Sequence, residues 1–413
     1  MTIMTKFWSQ MSLPANRMCR RTAQGAIPAA TLIAVSALAI SCSSATQPSG
    51  ARSSSPAPTL TSPIPSTQAG SPTTSASDTS RLHGVQIVDL TFYTQDNGWA
   101  LASADCETGP GRCTALLTTL DGTHWQSKPG AMFNVPGIWG GCTAPCVNNI
   151  RFANARTGYA FGPNALFMTT DGGTTWQQQA GGALFLESLN RNVIKATSTG
   201  TGCPSWCNVQ AETSSIGSTT WTRTSLPSGA NRGFGVEFAR GGHDAYLLFP
   251  GHVSGGASNA TSTLDRSTDD GQTWTASPEP CPQTSEETDS TAVAAAPNGQ
   301  VSVLCMVRQA PNRAFVATST DAGAHFTAQT GTVPAATTDQ LTGDPTTVLI
   351  AAGDGLSRST DGGRSWTPVP DVTGTVSYLG FESPAVGRAV ANKGQTIWTT
   401  RDGGTTWMAV TFG

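Results

Sequence analysis

The chain has 413 residues, of which 12% are charged, with 45 Gly, 26 Pro, 11 Trp and only 4 Tyr, and a formal net charge of −3. Charge at about half the usual quarter, with many Gly, Thr and Ser, favours an all-β protein, and the lack of a basic surplus argues against a nucleic-acid binder. No apolar run reaches the roughly 18 residues a spanning helix needs, which excludes a multi-pass helical membrane protein.

The first segment reads as an address. Arg20 and Arg21 precede an apolar stretch from Ala26 to Ile40, followed by Ser41 and Cys42. A basic region, an apolar core and small residues before a cut are the pattern of a secretory signal. The Cys at the cut resembles a bacterial lipobox, although Leu38 sits one place early and Ala39 holds the position that family gives to Leu. The resemblance implies a signal over residues 1–41 and lipidation of Cys42. Multiple acyl chains on that residue would anchor it stably to a membrane. The alternative is an ordinary secretory signal with an incidental Cys. Removing residues 1–41 takes away four bases and no acid, leaving 19 Lys and Arg against 26 Asp and Glu, a net −7.

Residues 42–80 follow as a Ser/Thr/Pro-rich disordered tether. Such a segment has too little apolar surface to offset chain entropy, and as a flexible coil it reaches roughly 35 Å.

From residue 81 onward a motif recurs seven times. Four copies are close: Thr169–Trp176, Ser267–Trp274, Ser359–Trp366 and Thr400–Trp407. Three are degenerate. Thr119–Trp125 is one residue short, Ser214–Trp221 has Ile216 where the others have Asp, and Ser319–Phe326 ends in His325 and Phe326. The closing aromatics are spaced 51, 45, 53, 52, 40 and 41 residues apart, room for one four-stranded sheet each. A second pattern sets Phe92 six residues before Gly98, Phe152 six before Gly158 and Phe381 six before Gly387, with a looser version from Phe238 to Asp244. That spacing reads as a strand, a short turn and a second strand.

The motif resembles the Asp-box (bacterial neuraminidase, BNR) repeat of β-propellers. Together with the Phe and Gly pattern, it resembles the repeat of the photosystem II assembly factor family (Ycf48-like). The resemblance implies an all-β fold over residues 81–413: a seven-bladed β-propeller with four antiparallel strands per blade. Within each box, Asp and Ser or Thr side chains accept bonds from nearby backbone N–H groups and fix a tight turn. Reading the box aspartates as metal ligands fails, because each lies in its own blade. No metal or cofactor site is expected.

Eight Cys follow the signal: Cys106, Cys113, Cys142, Cys146, Cys203, Cys207, Cys281 and Cys305. An even count in an exported protein implies disulfides. Eight Cys allow 105 connectivities, and the local choice is 106–113, 142–146, 203–207 and 281–305. Zinc is the weaker reading, since no pair has the two-residue gap. Apart from Cys305, these Cys fall in second-to-third strand loops or in connections between blades, which share the propeller face opposite the boxes. The longest loops lie there too. The expectation is a binding face there, with Trp139, Trp206, Arg112, His252, Arg308 and Arg313 as candidate contacts. Trp139 and Trp206 packing on their own disulfides is the competing reading.

Two functions remain. One is a non-catalytic, lipid-anchored binding or assembly scaffold for a protein or envelope glycan, acting as a monomer. The other is a glycoside hydrolase of sialidase-like fold. Sialidases need an arginine cluster and a Tyr–Glu pair, and their Phe/Tyr-Arg-Ile-Pro signature is absent; Arg151 belongs to the strand pattern. Tyr93, Tyr159, Tyr246 and Tyr378 are the available tyrosines. Other glycosidases need two carboxylates about 5 to 9.5 Å apart, for which Glu237 with Asp89 or Glu382 is a candidate set. Since fold does not imply function, the scaffold reading is preferred and no catalytic residue is assigned.

Overall fold

The computed structural model describes residues 82–412, apart from 108–109, 137–141, 143–144, 200–207, 228–235, 251–261, 282–287, 308–309, 335–339 and 346–347. The expected signal, Cys42 and the tether lie outside the described residues.

Seven four-stranded antiparallel sheets follow one another along the chain, each taking its strands consecutively. The first strand of each sheet is innermost and touches the first strand of a neighbouring blade. These inner strands are Gln86–Phe92, Asn149–Phe152, Phe185–Leu189, Glu237–Gly241, Thr288–Ala295, Gln340–Asp344 and Val376–Phe381. Seven apolar clusters fill the seven gaps between blades. Leu116 and Trp99 of blade 1, for example, meet Ile150, Phe152 and Phe167 of blade 2. The last gap joins Tyr378, Val390, Ile397, Val410 and Phe412 of blade 7 to Ile87, Leu90, Phe92 and Trp125 of blade 1. Among the described residues the ring therefore closes side to side, with no strand exchanged between its ends.

The spacing of Phe to Gly has a direct cause. Phe92 pairs with Gly98, Phe152 with Gly158 and Phe381 with Gly387 across the first hairpin of their blades. Each Phe ring lies where a Cβ on the Gly would stand, at 2.7, 2.6 and 2.6 Å from ring atoms. Only Gly leaves room for the ring, and the ring then packs inward. The Phe238 match is out of register: Arg240 pairs with Ala245, so Phe238 stands two residues before the position that Phe152 occupies.

The boxes cap themselves. In blade 2 the Asp171 carboxylate accepts from the Thr174 and Thr175 N–H groups and the Thr175 hydroxyl, while Thr169 Oγ accepts from Gly173 N–H. Trp176 Nε1 then donates to the Gly173 carbonyl at 3.2 Å. Blades 4, 6 and 7 repeat that last bond at Trp274, Trp366 and Trp407. In blades 1 and 5 a histidine takes the place of the hydroxyl, with His124 Nδ1 2.6 Å from Asp121 and His325 Nδ1 2.6 Å from Asp321. Blade 3 has no Asp, and Ser214 Oγ holds its turn by donating to the Thr220 carbonyl at 2.7 Å.

Candidate functional site

Each inner strand starts on the face that carries the connections between blades and ends on the face that carries the boxes. Box and first turn meet on the latter face, as where Gly172 N–H donates to the Arg156 carbonyl at 2.8 Å. Three disulfides brace the opposite face. Cys106–Cys113 closes the second-to-third strand loop of blade 1, and Cys142–Cys146 lies in the connection from blade 1 to blade 2. Cys281–Cys305 ties the entry of blade 5 to its second strand. Cys203 and Cys207 lie outside the described residues.

Of the expected contacts on this face, Arg112 is fastened to its own hairpin. Its guanidinium donates to Asp105 Oδ1 at 2.6 Å and to the Ser103 carbonyl at 2.8 Å. Arg313 stands exposed on the third strand of blade 5. Trp139, Trp206, His252 and Arg308 lie outside the described residues. The structure thus places two of the six candidates, in blades 1 and 5, and does not bring them together.

The inner strands hold a second cluster. Arg151 in blade 2 is fully enclosed. Its Nη1 donates to Asp89 Oδ2 of blade 1 at 2.8 Å and to the Ile150 carbonyl at 2.7 Å, and its Nε donates to Glu187 Oε2 of blade 3 at 3.0 Å. The strand ladders explain the meeting. Arg151 pairs with Tyr159 and Glu187 with Ile194, equivalent ladder positions in neighbouring blades. Burial pulls the Arg151 guanidinium down, but Asp89 and Glu187 outweigh it and hold the proton more tightly than usual. Burial pushes the Glu187 carboxyl up, against the pull of Arg151.

Tyr378 belongs to the same cluster. Burial pushes its phenol well above the usual range, with Arg151, Glu382, Asp89 and Glu187 all within electrostatic reach. Its ring packs in the gap between blades 7 and 1, beside Val390 of its own blade. The Tyr378 hydroxyl is buried with no hydrogen-bond partner. In blade 6, Gln340 spends its Nε2 on the Val376 carbonyl at 3.1 Å, and its Oε1 is likewise buried without a partner. Altogether the seven inner strands carry Asp89, Glu187, Glu237, Asp289 and Asp344 against Arg151 and Arg240.

The other three tyrosines are packing residues. Tyr159 and Tyr246 are buried, and Tyr93 lies against Trp99 with ring centroids 5.7 Å apart. Glu382 is not on an inner strand. It follows the inner strand of blade 7 and pairs with buried Arg388 at 2.9 Å, on the seam where blade 7 meets blade 1. Glu237 and Asp89 are on inner strands, in blades 4 and 1. No group of three or more His, Cys, Asp or Glu suited to hold a metal ion occurs among the described residues.

Fold and site define a seven-bladed propeller with self-capped outer turns and a charged, enclosed centre. No protein-family model matches the chain, and no curated protein matches it. Solved structures do share the architecture. A structure described as YCF48 bound to D1 peptide is 17% identical, with a TM-score of 0.49, over 83% of this chain and all of that one. YCF48 from Cyanidioschyzon merolae is 14% identical, TM-score 0.49, over 80% of this chain and 96% of that one. An ancestral GH74 enzyme is 12% identical, TM-score 0.51, over 80% of this chain and 47% of that one. At these identities the likeness is one of fold.

Proposed function

We propose that the chain is an exported, lipid-anchored propeller that binds a protein or an envelope glycan without chemistry, on the face opposite its boxes. One observation carries this reading: the two faces are built for different work. On the box face the polar groups of each turn are used on the turn itself. On the other face, disulfides hold the connections of blades 1, 2 and 5 in place, and braced loops on a rigid scaffold are where recognition usually sits. The signal over residues 1–41, acylation of Cys42 and the tether to residue 80 supply the anchor.

The glycoside hydrolase reading draws on Tyr378, Asp89 and Glu187 meeting at the ring centre. Against it, Arg151 bonds both carboxylates at once, so they serve the fold before they can serve a substrate.

The test is cross-linking capture from the native envelope with the wild-type chain and a Trp139→Ala, Trp206→Ala variant. A defined partner held by wild type and lost by the variant supports the reading. Turnover on a panel of sialosides and aryl glycosides overturns it.

A further inference from the structure

Six of the seven gaps between blades are crossed by the chain as it passes from one sheet to the next. The gap between blade 7 and blade 1 is not, so among the described residues it is held without a covalent link. Its apolar part joins Leu90, Phe92 and Trp125 of blade 1 to Tyr378, Val390 and Phe412 of blade 7. On the box face, side-chain bonds cross it. Arg388 Nη2 donates to the Gln95 carbonyl at 2.5 Å, and Gln95 Nε2 donates to Ser383 Oγ at 3.1 Å. Arg401 Nη2 donates to Asp96 Oδ1 at 2.6 Å and to the Asp121 carbonyl at 3.2 Å.

These bonds are a weak substitute for a connection. Arg401 and Asp96 are both exposed, and exposed pairs contribute little. Inside the seam, Trp125 Nε1, Tyr378 Oη, Glu382 Oε1 and Arg388 Nε are buried without partners. Each such atom costs free energy while it stays unpaired. Water reaches all four once the blades part, so opening recovers part of what it loses.

We propose that the ring opens reversibly at this seam, blade 7 parting from blade 1 while the other six gaps stay packed. The closed state dominates, because parting exposes the apolar cluster. Opening is nonetheless cheaper than unfolding the ring. This motion is independent of what the chain binds.

The experiment compares three gaps through matched cysteines. Ala100, Ala160 and Ala389 are each the third residue of the second strand, in blades 1, 2 and 7. All three are fully buried, in the gaps 7–1, 1–2 and 6–7 respectively. Each is changed to Cys in the full chain, and thiol labelling is followed by site-resolved mass spectrometry beside the variant's own urea unfolding. Ala100→Cys labels about tenfold faster than its global stability allows, a factor matching one buried unpaired polar group. Ala160→Cys and Ala389→Cys label only as fast as the whole chain unfolds. Adding Arg401→Ala quickens labelling at position 100 about twofold to fivefold, the range for an exposed pair. Adding Trp274→Phe, which weakens blade 4 far from the seam, quickens labelling at 160 and 389 and leaves 100 unchanged. Should Ala100→Cys fail to fold, Ala102→Cys, buried in the same gap, takes its place. Labelling at 100 no faster than global unfolding, equal quickening of all three sites by Trp274→Phe, or no response to Arg401→Ala each overturns the proposal.

Discussion

Arg151 Nε donates to Glu187 Oε2 at 3.0 Å, a bond that joins the inner strands of two neighbouring blades. The same guanidinium reaches back to Asp89, so one side chain ties three blades together at the axis. Removing it takes from two buried carboxylates the guanidinium they share. Arg151→Met should cost about 3–5 kcal/mol, the range for breaking a buried pair on one side. The loss should shrink as pH is lowered from 7 to 5, because the Glu187 carboxyl, raised by burial and no longer held down by Arg151, then takes up a proton. Urea unfolding at the two pH values measures both effects; a variant equally unstable at both would refute the account.

This cluster was hidden in the sequence, whereas the blades were not. The blades repeat a local chemistry: the box is a turn that satisfies itself within eight residues, and the Phe lies over the Gly it pairs with. Such features are legible wherever they recur, even at Ser214–Trp221 where the Asp is gone. Arg151 and Glu187 are 36 residues apart, and each alone reads as an ordinary strand residue. Tyr378 joins them because the ring closes, which no local spacing announces. The one available signal was that polar residues interrupt inner strands of an otherwise apolar repeat.

The Phe and Gly pairing gives a sharper test of packing. In Gly158→Ala the new methyl would stand 2.6 Å from the Phe152 ring. That ring is itself stacked on Trp99, centroids 3.7 Å apart and planes 2° from parallel, so it has little room to move. Overpacking of this kind costs about 1–3 kcal/mol. A smaller residue at 152 should relieve it, so Gly158→Ala with Phe152→Leu should lose less than the two single losses added. Additive losses in thermal unfolding would show that the methyl finds space elsewhere.

The short box of blade 1 makes a prediction about one hydrogen bond. Trp176 Nε1 has the Gly173 carbonyl, whereas Trp125, in the box lacking a residue, has its Nε1 buried with no partner. Both indoles are buried, so Trp→Phe removes similar apolar area from each. Trp176→Phe should therefore cost about 1 kcal/mol more than Trp125→Phe, the worth of one net hydrogen bond. Equal costs in chemical denaturation would mean that the box bond contributes nothing.

The box carboxylates set the acid limit. Hydrogen bonds from the Ser365 hydroxyl and N–H hold Asp361 down to about 2 from an ordinary 3.8, and Asp171 and Asp321 are lowered by the same kind of bonds. A carboxyl held low in the fold stabilises above its unfolded value and loses that contribution as pH falls through its folded value. The melting temperature should accordingly drop between about pH 4 and pH 2. Replacing Asp361 by Asn should lower stability at pH 6 and flatten part of that drop. A melting curve indifferent to pH across this window would remove the boxes from the account of stability.

The seam between blades 7 and 1 should respond in the opposite sense. Arg388 is buried there, donating to Glu382 Oε2 at 2.9 Å and to the Gln95 carbonyl at 2.5 Å, with its guanidinium 4.2 Å over the Phe92 ring. Its Nε has no partner, and neither has Glu382 Oε1. Burial pushes the Glu382 carboxyl up to about 7 from 4.5, against the pull of Arg388. A carboxyl raised in the fold favours the native state while protonated, so the contribution of Glu382 is greatest below about 4.5 and falls as pH rises toward 7. Glu187, also raised by burial, leans the same way. Glu382→Gln should therefore reduce the decline between pH 4.5 and 7 without abolishing it, even where its absolute stability is lower for want of a partner to Arg388. Parallel wild-type and variant curves across that window would place the proton elsewhere and leave the seam a plain ion pair.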